Sequence, residues 1–508
     1  MLLTCLCIIG QKALPDIPSL LEIILDEIGA HLDNGLFTSA DLVRAYVKRI
    51  KKINQDALNI AEKLDLEAMT SGRRGPLHGV PILLKDNIVT LDNMEATAGS
   101  YALIGAIPHR QATVATKLQG AGAIILGKTS MVEWANLRWT NAPTGWCPRG
   151  GQVTGPFCPN MVVHGSSTGS AVATCLGLAF AALGTETDGS ICNPASACNL
   201  VGLKPTTGLV SRDGVIPGSN RLDIVGPLIR NVIDAAAIFS IIAGETEHDT
   251  CTYDIPFNTI PDYTQLCRLR DLSGVRIGIS SWQYIRDNIL QAETKAFEAT
   301  VKVTKSLGAE VVDNIELPAI EKWTQCLLKG QMSIRTADMA ENLEAYFTKC
   351  YPCYVVETFE FALDKEHYES SRFQELEVLR EYMAAEGGIP GALDGYKLDV
   401  LMAPQVLGFV TLSSFAGSPL ITVPLGFYGP ETLVTYEYFS DMVETVLGVP
   451  VSIYFFAGRF EEQTLLRVAY AFEPSHTITQ PPKMYNLPVT DLKNIVSERK
   501  ELETQHQG

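Results

Sequence analysis

A lysine and two serine-containing turns are the residues of this chain whose types and spacing could do chemistry. The apolar run 80–84 ends on Lys85, which Asp86-Asn87 follows. The turns are Gly165-Ser166-Ser167-Thr168-Gly169-Ser170 and, after another apolar run, Gly184-Thr185-Glu186-Thr187-Asp188-Gly189-Ser190. Burial of an amine disfavours its charged form and leaves a neutral base. The combination predicts a serine nucleophile activated by lysine, which is acyl-transfer chemistry.

Each of these residues also has an ordinary structural explanation. Lys85 could be a solvent-facing lysine at a strand end. Ser166 could cap the helix that is expected to begin near Ser170, although its hydroxyl could also pass a proton from Ser190 to Lys85. The turn before Ser190 could need its glycine and serine only for its shape. Taken one at a time, the structural explanations are favoured.

A rival interpretation makes Ser167 the nucleophile. Residues 165–169 fit G-x-S-x-G, the nucleophile elbow of α/β-hydrolases, with 161–163 as the preceding strand. This site would need an acid and a histidine later in the chain. The later histidines lie in no recognisable catalytic context; they are His248, His367, His476 and His506. The elbow also leaves Lys85 and Ser190 unexplained.

Composition excludes several classes of protein. The 508 residues are 46% hydrophobic and 19% charged, which is typical of a globular chain with a large core. Lys and Arg number 40 against 57 Asp and Glu, and the net charge of −17 opposes a nucleic-acid partner. The pair Cys350 and Cys353 has no second CxxC or nearby histidine, and there is no HExxH, so we expect no metal and no cofactor.

Cysteine use and the N-terminus bear on the compartment. The twelve cysteines are scattered, which indicates reduced thiols in an intracellular, cytoplasmic protein. The apolar segment 1–10 has no basic residue before its apolar run and is too short to span a bilayer, so it is a weak secretory signal at most. We expect no stable membrane insertion.

Strand and helix patterns alternate along the chain. Apolar runs at 80–85, 123–127 and 178–185 predict buried strands, and 112–122 and 170–177 predict helices between them. This alternation is typical of an α/β sheet covered by helices on both faces. We expect one domain at 18–482 between an N-terminal arm at 1–17 and a C-terminal tail at 483–508, with a variable helical region at about 318–395.

The chain resembles the amidase signature family over about residues 18–482. The stretches that carry the resemblance are Gly75–Pro81 with Lys85-Asp86-Asn87, Thr97–Ser100, Ala121–Thr129, Gly202–Thr206 and Ala469–Glu473. The resemblance implies a mixed, largely parallel sheet and a triad of Lys85, Ser166 and Ser190, with a cis peptide bond before Ser166. It also implies an oxyanion hole formed by backbone N–H groups of Thr187, Asp188, Gly189 and Ser190.

Within that family the chain looks most like the peptide-amidase-like branch. Residues 141–146, 149–152 and 186–190 carry this likeness. It implies an amide hydrolase that cleaves a small-molecule or peptide amide to a carboxylic acid and ammonia or an amine. We expect a monomer or homodimer. The alternatives are an acyltransferase or amidotransferase with the same triad, including the subunit role in a tRNA amidotransferase, and a catalytically silent scaffold. Two residues depart from the family pattern, His164 before the first turn and Cys192 where many relatives carry arginine.

Overall fold

The computed structural model describes most of the chain and defines the sheet that carries the three predicted residues. It describes residues 17–50, 56–137, 143–281, 290–320, 322, 338–339, 341–343, 345–346, 350–351, 371–438, 440–473, 484–485 and 487–506. Much of the region predicted to be variable and helical, about 318–395, therefore lies outside the described residues.

Ten of the strands in this part of the chain form one sheet, and their bounds are β1 Pro81–Lys85, β3 Ile124–Thr129, β6 Ala181–Glu186, β7 Val201–Lys204, β8 Ile224–Ile229, β9 Arg276–Ser280, β10 Glu310–Ile315, β12 Val400–Pro404, β13 Leu420–Phe427 and β16 Pro450–Ala457. Their order across the sheet is β10-β9-β12-β16-β13-β7-β8-β6-β1-β3. Six short strands pair outside this sheet: β2 Ile107–Pro108, β4 Trp146–Cys147, β5 Gly151–Gln152, β11 Cys350–Tyr351, β14 Thr435–Tyr436 and β15 Val443–Thr445.

The sheet is mixed, as predicted. Neighbouring strands are parallel on its two sides, in β10-β9-β12 and in β6-β1-β3. The strands between these groups pair antiparallel. Because β1 and β6 are parallel neighbours, Lys85 and Glu186 end at the same edge of the sheet.

Helices flank the sheet, and the described ones are α1 Leu25–Asp33, α2 Ser39–Val47, α3 Ala57–Ser71, α4 Thr113–Gly120, α5 Thr168–Cys175, α6 Cys192–Ala197, α7 Val232–Ile242, α8 Gln291–Ser306, α9 Ser371–Ala384, α10 Ile389–Tyr396, α11 Leu407–Ala416, α12 Glu462–Phe472 and α13 Leu492–His506. Thr38 starts α2 by accepting a hydrogen bond from the Asp41 N–H, as its sequence pattern indicates.

Buried side chains form separate cores on the two faces of the sheet. Along β16, Ile453 and Phe455 pack into one cluster whereas Tyr454 and Phe456 pack into the other. This period of two is what a strand imposes when both of its faces are covered. Helices α7 and α12 contribute to the first cluster and α6 and α11 to the second, so helices cover both faces, as predicted.

The C-terminal residues contribute to the first core. Helix α13 buries Leu492 and Val496 completely, and Arg499 of this helix contacts the buried Asp41 carboxylate of α2 at 3.1 Å. The predicted arm at 1–17 lies outside the described residues except for Ile17. Among the helices that the structure describes, none is long and apolar enough to cross a membrane.

Candidate active site

Lys85 and Ser166 meet in the interior of the protein. Lys85 is the last residue of β1 and its side chain is fully buried, whereas Ser166 is 1% exposed. The Lys85 Nζ donates hydrogen bonds to the Ser166 Oγ at 2.8 Å and to the Thr185 carbonyl at 2.9 Å. The peptide bond between Gly165 and Ser166 is cis, as the family resemblance implies. Strand β1 therefore delivers the amine and the first serine turn delivers the hydroxyl.

Burial of the Lys85 amine prepares it to act as a base. Removal from water lowers the Lys85 pKa to about 7, although the nearby Asp223 and Glu186 carboxylates act in the opposite direction. A neutral amine has two N–H bonds and one lone pair. If one N–H bonds the Thr185 carbonyl, the lone pair can accept the Ser166 proton. Lys85 can thus work as a general base near neutral pH.

The backbone joins the two serine turns. The Ser167 N–H donates to the Ser190 carbonyl at 3.1 Å, and Ser190 is 6% exposed. Gly189 precedes it with φ of 83°, a left-handed conformation that favours glycine. The turn thus brings Ser190 beside the segment that contains Ser166.

Asn193 fills the space beneath Gly189. A Cβ on Gly189 would lie 2.3 Å from the Asn193 Nδ2, and the Asn193 N–H donates to the Gly189 carbonyl at 2.8 Å. Tyr454 of β16 donates from its hydroxyl to the Asn193 Oδ1 at 2.8 Å. This support could not be predicted from the sequence because Asn193 and Tyr454 are distant in the chain.

A second buried side chain, that of Glu186, bonds the backbone just after Ser190. Glu186, the last residue of β6, accepts the N–H groups of Ile191 at 2.7 Å and Cys192 at 3.0 Å through its Oε2. Burial raises the pKa of Glu186, and the nearby Lys204 acts against this rise. The position of Glu186, at the end of an apolar strand and four residues before Ser190, is the sequence signal that could have identified it.

The predicted oxyanion residues occupy the turn between Glu186 and Ser190. Thr187 and Gly189 are buried, whereas Asp188 is half-buried and its carboxylate accepts the Thr411 hydroxyl at 3.1 Å. The same turn contains the Thr187, Asp188 and Gly189 N–H groups in sequence, and successive backbone N–H groups can form an anion-binding concavity.

The contacts of Ser167 weigh against the nucleophile elbow. Ser167 is completely buried, and its hydroxyl donates to the Thr185 carbonyl at 3.1 Å. A nucleophile elbow needs one histidine partner. Two of the four candidates, His367 and His476, lie outside the described residues. The contacts of Ser167 are those of a structural serine.

Two cavities are lined by residues that neighbour or contact the serine turns. One of about 320 Å³ is lined by Ser219, Asp223 and Tyr346 among others. The other, of about 650 Å³, is lined by His164 and Asn193 among others. Lys85, Ser166 and Ser190 line neither of the two cavities. In the part of the chain that the structure describes, no group of three or more His, Cys, Asp or Glu side chains is arranged to hold a metal ion.

Comparison with known proteins identifies the class to which this fold and site belong. The family model "Amidase" matches residues 39–404, and the chain belongs to this family. It is 37% identical over 537 residues to a protein of Arthroderma benhamiae named "Putative amidase", covering 95% of this chain and 90% of that protein.

Two further similarities are informative. The crystal structure of the native peptide amidase from Stenotrophomonas maltophilia superimposes with a TM-score of 0.78 at 32% identity, covering 91% of this chain and 98% of that one. A glutamyl-tRNA(Gln) amidotransferase subunit of Desulforudis audaxviator is 32% identical, covering 89% of this chain and 94% of that protein.

Proposed function

We propose that the chain is an amide hydrolase that uses Lys85, Ser166 and Ser190 to cleave an amide through an acyl-enzyme. The hydrogen bond between the Lys85 Nζ and the Ser166 Oγ, in a site where burial lowers the lysine pKa to about 7, is the observation that carries the proposal. Membership of the amidase family and the similarity to a peptide amidase support it.

Acylation begins with attack by the Ser190 Oγ on the amide carbonyl carbon. The Ser190 proton passes to the Ser166 Oγ as the Ser166 proton passes to neutral Lys85, so that the lysine becomes an ammonium. The N–H groups of Thr187, Asp188, Gly189 and Ser190 are proposed to bind the oxyanion. The proton then returns through Ser166 to the leaving nitrogen, and the C–N bond breaks.

Deacylation repeats these proton transfers with water. Lys85 and Ser166 remove a proton from water, which attacks the ester carbonyl of the Ser190 acyl-enzyme. The proton returns to the Ser190 Oγ, and the carboxylic acid leaves. The bonds made and broken in this sequence balance with an amide and water as the only reactants.

The proposed substrate is a small-molecule or peptide amide that yields ammonia or an amine. We also propose a single domain at 18–482, with helix α13 of the C-terminal tail packed against its core. We propose a monomer or homodimer without a nucleic-acid partner. A cytoplasmic location is supported by the free thiols of seven of the described cysteines, which are Cys147, Cys158, Cys175, Cys192, Cys198, Cys251 and Cys267.

A second candidate is acyl or amide-nitrogen transfer with the same acyl-enzyme. The similarity to a subunit of glutamyl-tRNA(Gln) amidotransferase favours it. The net charge of −17 weighs against direct binding of RNA by this chain. Adding hydroxylamine to the hydrolysis assay tests for acyl transfer, since an acyltransferase forms hydroxamate in preference to acid.

The experiment is ammonia release from a panel of primary amides and amidated peptides. We expect turnover by the wild type and a loss of about 10³-fold or more in kcat for Ser190→Ala. Ser196→Ala is the matched control because Ser196 is a buried serine of α6 whose hydroxyl donates to the Gln405 Oε1 at 2.5 Å. A folded wild type that is inactive on every amide and forms no hydroxamate would instead favour the catalytically silent scaffold.

A further inference from the structure

The strand register places an acidic residue beside the nucleophile turn. Strands β6 and β8 are antiparallel, and Glu186 at the end of β6 lies opposite Ile224 at the start of β8. Thr187 follows Glu186 and Asp223 precedes Ile224, so these two residues must also face one another. The Thr187 hydroxyl donates to the Asp223 Oδ1 at 2.6 Å. No motif in the sequence indicates a role for Asp223.

The Asp223 carboxylate is held in one orientation by three donors. Its Oδ2 accepts the N–H groups of Gly218 at 2.7 Å and Ser219 at 2.9 Å, while the Oδ1 accepts Thr187. The residue is 8% exposed. A buried carboxylate with both oxygens occupied has little freedom to rotate, so it fixes the position of Thr187 relative to the 218–219 backbone.

The loop at 218–221 has its own buried anchor. The Ser219 hydroxyl donates to the Asp338 Oδ2 at 2.5 Å, and the Arg221 Nε donates to the Asp338 Oδ1 at 3.1 Å. Arg221 also pairs with Glu377 of α9 at 2.9 Å. The contacts thus run from the nucleophile turn through Asp223 and its loop to a helix outside the sheet.

We propose that Asp223 is a positioning residue, which acts through Thr187 to hold the turn that carries Ser190 and the oxyanion N–H groups. This inference rests on the proposed function. Donors aimed at a developing oxyanion are effective when they need not reorganise during the reaction. Loss of the Thr187–Asp223 hydrogen bond should therefore slow the chemical step more than it weakens substrate binding.

The test compares Thr187→Val, which removes the hydroxyl but nearly keeps the shape, with Thr187→Ser, which keeps the hydroxyl. We expect kcat to fall by about 10- to 100-fold in Thr187→Val while KM changes by less than about threefold. Thr187→Ser is the conservative rescue, and we expect it to recover most of the kcat that Thr187→Val loses. Asp223→Asn should reproduce the loss, because an amide nitrogen replaces one oxygen that accepts the bonds.

Asp213→Asn is the matched control. Asp213 lines the same cavity as Asp223 but bonds Thr113 at 3.0 Å and Arg110 at 3.3 Å, away from the nucleophile turn. We expect its kcat to stay within about twofold of wild type. Thermal unfolding of every variant, with assays run well below each transition, separates lost folding from lost positioning.

The outcomes distinguish the inference from the proposed function. An active wild type in which Thr187→Val keeps its kcat overturns the positioning role of Asp223 but leaves the amidase intact. Equal losses in Thr187→Ser and Thr187→Val also overturn it, because the hydroxyl would not be the responsible group. If Thr187→Val fails to fold, Asp223→Asn takes its place in the comparison. A kcat for Asp223→Asn well below that of Thr187→Ser supports the positioning role, and equal kcat values overturn it. A wild type that hydrolyses no amide contradicts the proposed function itself.

Discussion

The Nζ of Lys85 lies 2.8 Å from the Oγ of Ser166, although the two residues are 81 positions apart in the chain. Strand β1 ends at the lysine, and the serine lies in the turn just before α5. The lysine is buried beside a hydroxyl, and the Asp223 and Glu186 carboxylates do not keep its pKa at the usual value. Such a lysine is suited to take a proton.

The pH dependence of activity should report this lysine. The base must be neutral, and the Lys85 pKa is lowered to about 7, so kcat/KM should rise with pH and reach half its maximum near pH 7. The acidic groups that face Lys85 are Glu186 and Asp223. We expect Lys85→Met to lose about 10²- to 10⁴-fold in kcat and to show no such rise.

Lys128→Met is the control for that variant. Lys128 is a half-buried lysine on the neighbouring strand β3, and its amine donates to the Ile88 carbonyl rather than to a side-chain hydroxyl. We expect its pH profile to keep the wild-type midpoint. A midpoint that moves in Lys128→Met, or a wild-type profile flat between pH 6 and 8, would contradict the assignment of Lys85.

Stability should depend on pH through the same group. The Lys85 pKa is about 7 in the folded protein and near 10.5 in the unfolded chain, so the unfolded state binds more protons between these values. The contribution of Lys85 to the free energy of unfolding therefore rises from pH 7 to about 10.5. Lys85→Met removes this contribution. The free energy of unfolding of Lys85→Met should therefore exceed that of the wild type by the largest amount below pH 7. Denaturant unfolding of both proteins at pH 6.5 and 9.5 measures the difference, and an equal gap at both pH values would contradict it.

Gly189→Ala should inactivate the protein without unfolding it. The added Cβ would lie 2.3 Å from the Asn193 Nδ2 at a residue with φ of 83°, so the turn must shift. We expect a loss of about 10²-fold or more in kcat, since oxyanion donors act only when correctly placed. The control is Gly274→Ala, which has φ of 81° but no atom within 4 Å of the added Cβ. Comparable losses in both variants would show that backbone strain, not the contact with Asn193, is responsible.

Arg221→Gln should destabilise the protein. Arg221 pairs with Asp338, whose side chain is only 2% exposed. Removing the Arg221 charge leaves the buried Asp338 carboxylate without this ion pair, although it still accepts the Ser219 hydroxyl. We expect the free energy of unfolding to fall by about 3 kcal/mol. Arg149→Gln, at a surface pair with Glu95, should cost less than about 1 kcal/mol. Equal costs in chemical denaturation would argue against a buried anchor at Asp338.

The sequence predicted the places of Lys85 and Ser190 in the fold better than the contacts around them. Lys85 ends one apolar strand and Ser190 follows another, and the strand patterns of β1 and β6 are local. Asp223 could not be predicted, because its partner depends on the register between β6 and β8, which no local pattern specifies. The buried side of α13 was missed for a related reason. Its mean composition is polar, and only contact with α2 and the core shows that Leu492 and Val496 are buried.

Reaction with an acyl phosphonate, followed by mass-spectrometric mapping of the adduct, tests directly whether Ser190 is the nucleophile. We expect one adduct, located on Ser190, absent from Ser190→Ala and formed much more slowly by Lys85→Met. An adduct on Ser167, or no adduct on folded protein that hydrolyses amides, would contradict the assignment of Ser190 as the nucleophile.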